Sequence, residues 1–162
     1  MAWFKKRIKV AIEPLIGHRI QKVFIDDRDR LLQQLAASKH EPNALEVSIF
    51  AAYQDLLAMN LAGLDDRVRY GYAEAAYRVV EQKAFGQGRL LQMRFAEYSA
   101  AFENDVSSGR AHLAPGMIDC VLGNVFGAYD ESVVLARLVL VMSHKACLET
   151  RVQFFKDLKI VF

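Results

Sequence analysis

The chain has 162 residues, 53% of them hydrophobic and 25% charged, with a net charge of +2. That size and balance exclude disorder and suit a single folded domain, residues 1–162, that needs neither disulfides nor a structural metal. The small net charge hides an asymmetry, because Lys5, Lys6, Arg7, Lys9, Arg19 and Lys22 face the single acid Glu13 within residues 1–24, so the rest of the chain is mildly acidic.

The first element expected is a basic amphipathic helix within residues 1–24. Phe4, Ile8, Ala11 and Leu15 recur at helical spacing on one face, with Lys5, Lys6 and Lys9 on the other. Beyond Pro14 the apolar positions shift to Ile16, Ile20, Val23 and Phe24, which predicts a kink or break near that proline. The start imitates a secretory signal, but Glu13 and Pro14 interrupt its apolar part too early. Trp3 and Phe4 beside Lys5, Lys6, Arg7 and Lys9 form the candidate binding site for a partner or an anionic membrane surface.

Asp26, Asp27 and Asp29 read as the acidic first turn of a second helix carrying Leu31, Leu32 and Leu35, ending near residues 38–41 before Pro42. Asn43 with Glu46 is a capping-box variant opening the stripe Leu45, Ile49, Tyr53 and Leu56, and Gly63 is the expected left-handed stop. Asp65 or Asp66 caps the next helix, which Gly86 and Gly88 terminate. Leu91, Phe95, Tyr98 and Phe102 mark a fifth, and Pro115 opens a sixth. From about Asp130 a long last helix follows. Its segment Val133 to Met142 has nine apolar residues in ten, which predicts a helix contacted on nearly all sides. The whole is an all-α compact bundle of six or seven helices with a long, largely buried C-terminal helix. Ile160, Val161 and Phe162 are too apolar for a loose tail and are expected to fold back or meet a partner.

Chemistry is sparse. No glutamate is followed three residues later by histidine, which argues against a di-metal carboxylate bundle. His144 and Cys147 share a helix face that Cys120 could approach, but both cysteines lie in apolar surroundings and no metal or cofactor is expected. Arg67, Arg69, Tyr70, Tyr72, Tyr77 and Arg78 resemble a nucleic-acid surface, yet residues 65–81 hold more acids than bases, so nucleic acid is not an expected partner. Gly123 and Gly127 suggest a close helix crossing.

The leading expectation is a non-enzymatic, cytoplasmic helical interaction protein. It would bind a protein partner, or a second copy of itself, through an apolar surface or the basic N-terminal helix. One alternative is a small helical enzyme or ligand carrier whose polar pocket gathers Cys120, His144, Cys147 and Tyr129. Another is peripheral membrane association.

Overall fold

The structure is a computed structural model that describes residues 8–36, 38–84, 86–127 and 133–161. Among these, an all-α bundle is closed at one end by two short strands. In chain order the elements are β1 (Ile8–Ala11), α1 (Ile12–Lys22), a π-helical turn (Val23–Asp27), α2 (Arg28–Leu35), α3 (Ala44–Leu61), α4 (Asp66–Lys83), α5 (Gly88–Ser107), α6 (Pro115–Phe126), α7 (Val134–Lys156) and β2 (Leu158–Val161). Because α1, the π turn and α2 run on without a break, the bundle has six rods. No helix among the described residues is long and apolar enough to cross a membrane.

The central rod is α3. Its sequence carries two charged residues, Glu46 and Asp55, in eighteen, so no solvated face is available to it. It packs against the π turn, α2, α4, α5, α6 and α7, and Phe50, Ala51, Ala52, Ala58 and Met59 are all buried. Small alanines let the neighbours come close, while Phe50, Tyr53 and Tyr98 meet edge to face at ring separations of 5.5 and 6.1 Å. Asn43 caps the helix by accepting hydrogen bonds at Oδ1 from the Leu45 and Glu46 amides, at 3.0 and 3.2 Å. Gly63, at φ 70°, stops it as expected.

Several expectations are corrected. First, residues 8–11 are a strand and not part of a helix. β1 pairs in parallel with β2, with Ile8 opposite Leu158 and Ala11 opposite Val161, so the apolar C-terminal residues fold back onto the chain's own beginning. Pro14 stands in the first turn of α1, where a missing amide is harmless, and the break in the chain near it is the passage from β1 to α1 after Ala11. Asp27 opens no helix either; it lies in the π turn and points inward.

Second, the apolar run of α7 is not enclosed. Its buried residues, Ala136, Leu140, His144, Arg151 and Phe155, form one narrow stripe. Val134, Leu135, Leu138 and Met142 are exposed to solvent, Met142 by 76%. Third, Gly123 has open space where a side chain would stand, so no close crossing depends on it; Gly127 is the left-handed cap of α6.

Candidate functional site

Of the N-terminal residues singled out by charge, Trp3, Phe4, Lys5, Lys6 and Arg7 lie outside the described residues. Lys9 is exposed on β1, on a strand and not on a helical lysine face.

The thiols and imidazole are held by separate partners. The Cys120 thiol donates to Glu97 Oε1 at 3.1 Å, and burial followed by that carboxylate pushes it up to about 12. Cys147 Sγ receives Arg30 Nη2 at 3.2 Å. His144 sits in the core, its Nδ1 3.2 Å from Gln54 Nε2 and its ring stacked on Phe50. Desolvation, with the Arg151 charge behind it, lowers His144 to about 4. Among the described residues no group of three or more His, Cys, Asp or Glu could hold a metal, and Tyr129 lies outside them.

The sequence reading missed a buried ionic network joining α1, the π turn, α3 and α7. Asp55, fully buried on α3, accepts Arg19 Nε at 2.7 Å and Arg19 Nη2, and its Oδ1 also accepts Arg151 Nη1 at 2.6 Å. Arg151 Nη2 reaches Asp27 Oδ2 at 2.8 Å, and the other oxygen of Asp27 accepts Lys22 Nζ at 2.8 Å. Burial would raise the Asp27 carboxyl, but Arg151, Lys22 and Arg30 outweigh it and hold the group below its ordinary range. Arg19 additionally lies 5.4 and 5.6 Å from the ring centres of Phe154 and Phe155. One signal was present in the sequence: Asp55 stands alone in the apolar stretch from Val47 to Leu61, and a carboxylate there must find cations.

Two apolar surfaces remain open. A groove of about 620 Å³ between α3, α4 and α5 has Tyr53, Leu57 and Phe102 in its walls, with exposed Leu61, Tyr70 and Val106 around it. Through Tyr70 and Ala73 it adjoins a second depression against Tyr77, Leu91 and Phe95. The charges beside it are largely paired with one another, Arg69 with Asp66 and Asn60, and Arg78 with Glu74.

The other surface is the outer face of α7. Val134, Leu138 and Met142 recur every four residues, with Leu135 beside them, so the four side chains lie within about a third of the helix circumference. The segment from Val133 to Leu148 carries no acid. Arg137, at its edge, is tied to Asp119 of α6 by contacts of 2.5 and 3.0 Å, whereas Lys145 is exposed and has no ion-pair partner among the described residues. This arrangement offers apolar area with a cationic margin. No family model, curated protein or solved structure matches the chain.

Proposed function

We propose that the protein is a helical interaction module that binds a partner protein through the outer face of α7. The observation that carries this reading is the exposure of Val134, Leu135, Leu138 and Met142 within the most apolar segment of the chain. Scattered apolar side chains on a surface need no explanation, but four on one helix face form a contiguous patch of the kind that partners cover. The repeat every four residues matches the ridge spacing by which helices pack, so the partner contributes a helix with its own apolar stripe. Lys145, which has no ion-pair partner among the described residues, favours an acidic residue at the edge of that helix.

The test places a photo-crosslinking residue at position 138 or 142 of the full chain in its own cells, with position 78 on α4 as the control. A partner joined at 138 and 142 and not at 78 is expected. The same partner, purified, should bind the wild-type protein and lose at least about tenfold in affinity to Leu138→Glu, given that two or more kcal/mol ride on a central apolar contact. Equal crosslinking at all three positions, or unchanged affinity in Leu138→Glu, would overturn the proposal.

A second reading, a carrier of an apolar ligand, is favoured by the α3, α4 and α5 groove, whose volume lies within the range of small-molecule sites. Its discriminating measurement is ligand-dependent melting that Ala73→Trp abolishes by filling the groove.

A further inference from the structure

On the side of α7 away from the exposed apolar patch lies a cavity of about 420 Å³, bounded by α1, the π turn, α2 and α7. Arg19, Lys22, Arg30 and Arg151 all line it, against Asp27 alone; Asp55 stands behind. The four cations and two carboxylates leave two positive charges uncompensated.

Two of the four cations exceed the buried carboxylates in number. Arg19 and Arg151 already balance Asp27 and Asp55, and both are buried at 5% and 6% exposure. Lys22 and Arg30 are additional, and both crowd onto Asp27 Oδ1, Arg30 at a long 3.3 Å. Arg30 is otherwise engaged by the Cys147 sulfur, a weak acceptor for a guanidinium. Arg19 directs Nε and Nη2 at Asp55, and its Nη1 has no hydrogen-bond partner among the described residues. Four cationic side chains are therefore gathered around one space, whose remaining wall is formed by His18, Ala146, Cys147, Thr150 and Phe154.

We propose that this cavity binds a small molecule bearing a phosphate monoester, with Arg19, Lys22 and Arg30 meeting the phosphate and Phe154 facing the organic part. A phosphate monoester carries close to two negative charges at neutral pH, which matches the excess. Its oxygens also fit the planar donor fork of arginine better than a single acceptor would. The volume leaves room for a compact organic group beside the phosphate.

Cys147 lines the cavity and supplies the readout, because a ligand there shields its sulfur, while Cys120, bonded to Glu97 on another face, serves as reference. The rate of alkylation of each cysteine is followed by mass spectrometry in the full chain. Inorganic phosphate and glycerol 2-phosphate are titrated at constant ionic strength against chloride. Saturable protection of Cys147 is expected, about tenfold at ten dissociation constants, with Cys120 unchanged. Lys22→Gln with Arg30→Gln should abolish the protection; should that pair fail to fold, Arg30→Gln alone, at an exposed position, carries the comparison. No protection by either phosphate, or equal protection in the variant, would overturn the proposal. Protection by phosphatidate vesicles with none by the soluble phosphates would overturn it too, since the phosphate would then be lipid-borne. Loss of the α7 partner site by Leu138→Glu leaves this result unchanged if both sites exist.

Discussion

Asp55 is the residue on which most depends for its size. Two guanidiniums, from helices separated widely in sequence, converge on its carboxylate inside the bundle. Replacing it by asparagine leaves Arg19 buried without its counter-charge and Arg151 with Asp27 alone, and a loss of about 3 to 5 kcal/mol is expected from urea unfolding. His144 acts through protons. Its folded value of about 4 lies below the ordinary 6.5, so as pH falls the unfolded chain takes up the proton first. The corresponding stability is complete above pH 6.5 and is lost as pH falls toward 4, on the order of 3 kcal/mol in all. The urea midpoint should therefore decline between pH 7 and 5, and His144→Gln should flatten that decline. Asp27, also lowered, acts in a separate window, since its contribution is lost only as pH falls from the ordinary carboxylate range near 3.9 through its lower folded value. Neither residue announced its partners. A histidine three residues from a cysteine reads as a ligand pair by spacing, whereas the structure gives the imidazole to Gln54 and Phe50 on another helix.

Among the elements, those whose signals are local were legible. Asn43, Gly63, Asp65 and Pro115 each mark a helix end by chemistry confined to one turn, and each does so in the structure. Asn43→Ala, which removes two capping bonds from the central helix, should cost about 1 kcal/mol in thermal unfolding. Gly88 shows the limit of such signals. It reads as punctuation, but its backbone lies against α4: a Cβ there would stand 2.5 Å from Tyr77 Cε2, and its amide donates to Glu81 Oε2 at 2.7 Å. Gly88→Ala should cost about 1 to 3 kcal/mol, with the shift largest in exchange rates of the α4 to α5 connection. The strand β1 was hidden for a related reason. Four residues spaced 4, 3 and 4 apart fit a helix face, and nothing local reveals a pairing partner near the other end of the chain. The same limit holds for α7, whose apolar composition predicts burial although composition cannot say which neighbours cover a face.

For the molecule as a whole, the two strands fix the relation of its ends. Val10, Ile12, Leu158 and Ile160 gather with Leu15, Met59, Tyr72 and Phe155 in a second apolar cluster at that end of the bundle. Removing residues 1–11 should therefore lower stability by about 2 kcal/mol or more through lost apolar burial, and should strip hydrogen-exchange protection from residues 158–161 while the helices remain. The parallel pairing also carries a consequence for synthesis. Ile8 and Leu158 are 150 residues apart, so at about 5 to 20 residues per second β1 leaves the ribosome roughly 8 to 30 s before its partner is made. Throughout that interval the nascent chain presents an unpaired apolar strand edge, in the company of whatever chaperone or neighbouring chain is nearest. Slowing translation should then raise aggregation of this protein more than that of a version lacking β1, even though the shorter chain is the less stable of the two once finished.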